Sequence, residues 1–393
     1  MEGRINMNGN KITESIIYVG VDDKEMDLFE AQYVTPNGIS YNSYIILDDK
    51  IAIMDTVDRR KTDEWIKNIE TVLGNKMPDY LVISHMESDH SDNIANLMEK
   101  YPEMKVVGNT QIFKMIEQFF AIEVGERAVL IKEGDILDLG KHKLQFISAP
   151  MVHWPEVMMS YEQTEKVLFS ADGFGKFGTL DTDEEWACEA RRYYFNIVGK
   201  YGANVQAVLK KASNLDIDII CPLHGPVLDK NLEYYIEKYD IWSSYRPEAE
   251  GVLIAYSSIH GNTEKAAKKF AEILEKKGAK KVAITDLTRD DMAEAIEDAF
   301  KYDKLVVASS TYNMGIFPTM EHFLLHLKCK NYQNRKVGII QNGSWAPASG
   351  KLMKSIFEQM KAISICDNIV TIKSAMKNEN LDEMEKLAEE LLK

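Results

Sequence analysis

The run Ser84-His85-Met86-Glu87-Ser88-Asp89-His90-Ser91-Asp92 places two imidazoles and two carboxylates within six residues, directly after the apolar stretch Tyr80-Leu81-Val82-Ile83. A strand that ends in so dense a set of donors points to a metal site with nitrogen and oxygen ligands and no thiolate. Three further strand candidates end in the same way. His153 follows Leu144–Ser148 within Ala149-Pro150-Met151-Val152-His153-Trp154-Pro155. Asp172 follows Val167–Ser170, and His224 follows Ile217–Ile220 within Cys221-Pro222-Leu223-His224-Gly225. In a layered fold such strand ends and their loops line one rim, where sites are assembled. One metal cannot take His85, Glu87, Asp89, His90, His153, Asp172 and His224 and keep an open position. Two metals can share them, with one carboxylate bridging. Three carboxylates favour a hard, higher-valent cation, so iron or manganese is expected ahead of zinc. His142, His322 and His326 read as ordinary hydrogen-bonded histidines, and Cys221 as core.

The elements that must hold these donors are mixed. Tyr44–Leu47 and Ile51–Asp55 flank a hairpin signal at Asp48-Asp49-Lys50, and helical patterns cover Thr62–Leu73, Asn93–Lys100 and Thr110–Phe120. This irregular order predicts stacked layers rather than a single βαβ series. The polar, proline-containing stretch Ser243–Glu250 marks a change of character, and the expected domains are residues 1–249 and 250–393. Beyond it, strands at Val252–Tyr256, Val282–Thr285, Leu305–Ser309, Val337–Gln341 and Ile369–Ile372 alternate with helices at Thr263–Lys277, Asp291–Phe300, Thr319–Leu327 and Ser349–Ala362. Such alternation predicts a doubly wound parallel sheet.

The second domain carries its own binding loops. Tyr256-Ser257-Ser258-Ile259-His260-Gly261-Asn262-Thr263-Glu264 links strand to helix, with backbone N–H groups and hydroxyls suited to a phosphate. It lacks the Gly-Lys-Ser/Thr ending of a nucleotide triphosphate loop and the Gly-x-Gly-x-x-Gly of a dinucleotide loop, which leaves a monophosphate. Ser309-Ser310-Thr311-Tyr312-Asn313-Met314-Gly315 follows the third strand, and Asn342-Gly343-Ser344-Trp345-Ala346-Pro347 the fourth. Both are expected at the carboxyl edge of the sheet, offering aromatic rings and backbone donors to a flat heterocycle.

Together the three loops resemble flavodoxin, which implies FMN. His85-x-Glu87-x-Asp89-His90 resembles the metal motif of the metallo-β-lactamase fold, with Glu87 where zinc hydrolases usually carry histidine. That glutamate, with His153-Trp154-Pro155, Asp172 and His224-Gly225, resembles the flavodiiron proteins (A-type flavoproteins) over essentially the whole chain. The resemblance implies an αββα sandwich followed by a flavodoxin-like sheet of order 2-1-3-4-5. It implies one iron on His85, Glu87 and His153, another on Asp89, His90 and His224, and Asp172 bridging them. The residue matching His90 is not a ligand in every member. Two departures stand in the flavin loops: His260 replaces the more usual hydroxyl or aromatic residue, and Ala346-Pro347 takes the place of glycine around the tryptophan.

The same resemblance implies an oxidoreductase that passes electrons through FMN to a di-iron site. Its expected substrates are dioxygen, reduced to water, and nitric oxide, reduced to nitrous oxide. Rubredoxin or reduced coenzyme F420 is the expected donor, and a head-to-tail homodimer or a dimer of dimers would set the FMN of one chain beside the irons of another. The competing readings are a metallohydrolase of the β-lactamase fold and an electron carrier without terminal activity. Composition excludes other classes. The formal charge of −15 repels nucleic acid and anionic membrane. No apolar run is long enough to span a bilayer. Four widely spaced cysteines, with no Cys-x-x-Cys pair, and an amino terminus without a signal peptide's apolar core lead to an expected cytoplasmic location.

Overall fold

In the computed structural model, described over residues 11–393, the chain divides into two compact units. One comprises residues 11–193 with 203–239, the other residues 194–202 with 240–393.

The first unit is built on two sheets. Its amino-terminal sheet has six strands, with the hairpin Tyr44–Ile46 and Ala52–Met54 near its centre and Tyr80–Val82 beside Ala52–Met54 in parallel. The other sheet has five, running from Ile136–Asp138 through Lys143–Ser148, Met158–Glu162 and Val167–Phe169 to Ile219–Cys221. Ile46, Met54 and Val82 from one sheet and Leu144, Phe146, Phe169 and Cys221 from the other form a single buried cluster. Apolar side chains from two facing sheets thus supply the core. The three helices expected from periodicity run over Thr62–Leu73, Ile94–Lys100 and Thr110–Phe120. The last is capped by Asn109, whose side chain accepts the N–H groups of Gln111 and Ile112.

The second unit has its five main strands parallel, in the order second, first, third, fourth, fifth: Val282–Asp286, Ala249–Ser257, Tyr302–Tyr312, Arg335–Asn342 and Ile363–Ile372. The carboxyl ends of the first, third and fourth strands therefore lie side by side, which is where a doubly wound sheet binds its ligand. The third strand differs from expectation. Instead of a loop from Ser309, it continues to Tyr312 and folds back to pair with Gly315–Ile316. Asn313 and Met314 make the turn with φ of 48° and 61°, the left-handed backbone that a tight hairpin of this twist needs. The fourth expected helix is also shorter than its pattern, ending at Phe357. Among the described residues no helix is long and apolar enough to cross a membrane.

Candidate di-metal centre and flavin pocket

The motif after Tyr80–Val82 splits its donors by turning. His85 lies between the strand end and a single helical turn, Ser88–Ser91, Glu87 immediately precedes that turn, and Asp89 and His90 lie within it. One donor group comprises His85, Glu87, His153 and Asp172, another Asp89, His90 and His224; within each, the ligand atoms all lie within 4.8 Å of one another. All seven residues expected to bind metal are thus brought together, from the ends of four strands.

The distances define two centres with one shared side chain. Glu87 Oε2 is 3.3 Å from His85 Nε2 and 3.0 Å from His153 Nε2. Asp89 Oδ2 is 3.3 Å from His90 Nε2 and 3.2 Å from His224 Nε2. Asp172 faces both: Oδ2 is 3.3 Å from the Nε2 atoms of His85 and His153, and Oδ1 is 3.5 Å from that of His90 and 3.7 Å from that of His224. Every imidazole presents Nε2 inward. The opposite nitrogens of two rings are held from outside. His85 Nδ1 lies 2.8 Å from buried Glu156 Oε1, and His224 Nδ1 donates to the Ser40 carbonyl at 2.7 Å. Such contacts fix the tautomer and aim of a ligating histidine.

The residues fit a pair of cations. Both carboxylate oxygens of Asp89 and both of Asp172 are buried without a hydrogen-bond partner, a costly state unless a positive charge faces them. Electrostatics agree. Burial alone would lower His85 and His153, but Asp172, Glu156 and Glu87 hold the first well above the usual imidazole range, and Asp172 and Glu87 raise the second to about 9. Burial and the neighbouring carboxylates raise Asp89 to about 7, whereas hydrogen bonds from His153 and His85 overcome burial and hold Glu87 low. His224 is pushed down by burial and stays a neutral donor. A field strong enough to hold protons on two buried imidazoles is strong enough to hold metal ions in their place.

Aromatic rings wall the centre. Phe29, Tyr41 and Tyr193 stand 5.4, 5.9 and 5.6 Å from the His224 ring, and Trp154 meets His85 edge-on at 5.1 Å. Two acids here escape sequence reasoning. Glu156, three residues after His153, supports His85. Glu30 stands on the turn between Leu28–Phe29 and Tyr33–Val34, and is raised to about 7 by burial and by the charge of Glu87. The only local signal at Glu156 is its closeness to His153; at Glu30 there is none.

Glu156→Gln is expected to weaken metal retention about 10- to 100-fold while the fold is kept, because the amide still accepts one hydrogen bond but no longer raises the basicity of His85. Competition with a chelator checks this.

In the second unit, the loops after the first, third and fourth strands enclose a cavity of about 450 Å³. Ser258, Ile259, His260, Asn262, Thr263, Ser310, Thr311, Asn313, Met314, Asn342, Gly343, Ser344 and Trp345 line it; Gly261, Tyr312 and Gly315 do not. Ala346 and Ser374 join the wall from outside the expected set, Ser374 from beyond the fifth strand. Gly261 instead caps the helix Asn262–Lys276 with φ of 81°, a conformation that suits glycine. A hydrogen bond between the hydroxyls of Thr263 and Ser310 (2.9 Å) and one from Asn342 Nδ2 to Thr263 Oγ1 (3.4 Å) tie the three loops together. Ser258 Oγ is buried with no partner. It fits a phosphate oxygen arriving at the helix amino terminus. Trp345 is 90% exposed and Met314 61%, as suits side chains that flank a flat ring at the mouth of the cavity.

Comparison with known proteins finds two successive family matches along the chain. The profile of the ODP family beta lactamase matches residues 39–225, and that of flavodoxin residues 254–386. The anaerobic nitric oxide reductase flavorubredoxin of Aliivibrio fischeri is 32% identical over 347 residues, covering 85% of this chain and 69% of that protein. The nitric oxide reductase of Moorella thermoacetica is 30% identical over 365 residues, covering 90% of each. The solved structure of rubredoxin oxygen:oxidoreductase from Desulfovibrio gigas superposes with a TM-score of 0.90 at 26% identity, covering 97% of each chain. A β-lactamase-like unit with two donor groups sharing Asp172, a flavodoxin-like unit with its loop cavity, and relatives that match 85–97% of this chain lead to one conclusion: the chain belongs to the flavodiiron protein family.

Proposed function

We propose that this chain is a terminal oxidoreductase that takes electrons from an external donor through FMN and delivers them to two irons, where dioxygen is reduced to water or nitric oxide to nitrous oxide. The observation that carries the reading is Asp172, a buried carboxylate that faces both donor groups at once. His85, Glu87 and His153 would hold one iron, Asp89, His90 and His224 the other, with Asp172 between them. FMN would lie in the three-loop cavity, with its phosphate at Ser258–Thr263. The irons and the flavin supply the redox chemistry when bound. The protein's own side chains do the rest. Glu156 and the Ser40 carbonyl orient ligands, and the rings of Phe29, Tyr41, Trp154 and Tyr193 limit the access of water. Glu30 is placed to relay protons toward the carboxylate of Glu87, since its raised affinity keeps it titrating near neutral pH.

The relatives' names supply rubredoxin as the donor class and both gases as substrates; reduced coenzyme F420 is the alternative donor. A head-to-tail homodimer would bring one chain's flavin to another's irons, and the cytoplasm is the inferred location. Glu87 in place of a histidine and the flavin cavity of the second unit speak against the metallohydrolase reading. Anaerobic reduction of the FMN- and iron-loaded protein, followed by separate exposure to each gas, tests the proposal. Consumption of at least one gas with reoxidation of the flavin is expected. Inertness toward both would sink it.

A further inference from the structure

A second cluster of metal-binding side chains lies at the far end of the strand that carries His153. His142 immediately precedes Lys143–Ser148, and His153 follows it. Six strand residues separate the two ends by about 20 Å, so this cluster is distinct from the di-metal centre. Glu162 closes the neighbouring strand Met158–Glu162, opposite Leu144, and Glu165 lies in the turn that leads to Val167–Phe169. His142, Glu162 and Glu165 each offer a ligand atom within 4.8 Å of the others.

The local chemistry is unusual for a region devoted to packing. His142 is 1% exposed and Glu162 fully buried. His142 Nδ1 lies 3.1 Å from Glu162 Oε1, yet neither ring nitrogen has a hydrogen-bond partner. The approach is thus off-line for an N–H···O bond, as when two lone pairs converge on a common point. Glu162 Oε1 accepts the N–H of Thr164, and Oε2 that of Glu165; the Glu165 carboxylate accepts the Thr13 hydroxyl. Among the described residues no lysine or arginine pairs with either carboxylate. Two buried or half-buried carboxylates thus face one buried imidazole whose ring nitrogens are both unpartnered, an arrangement that a bound cation would complete.

We propose that His142, Glu162 and Glu165 form a structural site for a divalent first-row cation of the zinc type. The donor set of one imidazole nitrogen and two carboxylate oxygens, with no thiolate, suits that class. A divalent ion balances the two carboxylates. It ties three separate chain segments together: the turn before Lys143, the turn after Glu162 and, through Thr13, the segment that leads into the first strand. The sequence set His142 aside because its partners lie about 20 positions downstream and no local motif announces them.

Zinc is the probe. Iron- and FMN-loaded protein is equilibrated with micromolar Zn²⁺, desalted and assayed for both metals. A His326→Gln background removes the exposed His322–His326 pair, whose Nε2 atoms lie 2.8 Å apart and would also chelate. One zinc per chain is expected beside undiminished iron. Glu165→Gln, at a half-buried position that keeps its bond to Thr13, and His142→Asn are expected to weaken zinc binding at least about 100-fold without changing iron content. No bound zinc, zinc gained only in exchange for lost iron, or equal zinc in both variants would each overturn the proposal.

Discussion

Asp172→Ala is expected to strip the protein of at least one metal per chain and to lower gas reduction by more than about 100-fold, a larger loss than removal of a supporting residue gives. The side chain is fully buried and is the one carboxylate whose two oxygens face different donor groups. Without it, His85 and His153 keep Glu87, and His90 and His224 keep Asp89, but nothing joins the pairs. Asp172→Asn separates charge from shape. The amide fills the same space but carries no charge, so metal content is expected to fall nearly as far as in the alanine variant. Metal analysis of folded, FMN-loaded variants checks both. Wild-type iron content in either would show that Asp172 does not bridge.

Metal uptake is expected to be steeply dependent on pH. Protons sit where metals would bind: Asp172 and Glu87 outweigh burial to hold His153 at about 9, and His85 is likewise held well above the usual imidazole range. Near neutral pH both imidazoles must lose a proton for a metal to bind, so apparent iron affinity should rise about 100-fold per pH unit between pH 6 and pH 8. Asp89, raised to about 7 by burial and neighbouring carboxylates, adds to the lower part of that range. The stability of the metal-free protein should move the other way. A histidine whose affinity for protons is raised on folding stabilises fully below its unfolded value near 6.5 and loses that contribution as pH climbs to about 9; for His153 this is worth about 3 kcal/mol. Chelator competition and denaturant unfolding of metal-free protein at pH 6, 7 and 8 measure the two slopes. A flat response in both would contradict the arrangement of charges.

Much of the fold was legible because its strands are buried on both faces. The runs Val252–Tyr256, Leu305–Ser309 and Val337–Gln341 are nearly continuous in apolar residues, as central parallel strands must be. Reading failed where polar residues interrupt an element that tertiary contacts restore. The fifth strand begins at Ile363, not Ile369: a register shift against the fourth strand accommodates Asp367 and Asn368, whose N–H groups donate to Glu390. That partner lies on the helix Asn378–Leu392. Its dense charge hid the buried stripe of Met384, Leu387, Ala388 and Leu391 from a reading by composition. The hairpin at Asn313-Met314 was missed because methionine gives no signal of a left-handed turn. The same distinction holds at the site. The seven donors announce themselves by following apolar runs, whereas Glu30 and Ser374 lie in short turns far in sequence from the residues they join at each site, and neither differs locally from an ordinary surface residue.

The central claim is that electrons pass from a flavin in the loop cavity to irons held around Asp172. Flavin absorbance, followed after mixing dithionite-reduced protein with dioxygen and, separately, with nitric oxide, tests it most directly when iron- and zinc-loaded samples are compared. Rapid reoxidation by at least one gas with iron, at least about 100-fold faster than with zinc, is the predicted result; equal rates with the two metals would contradict the account.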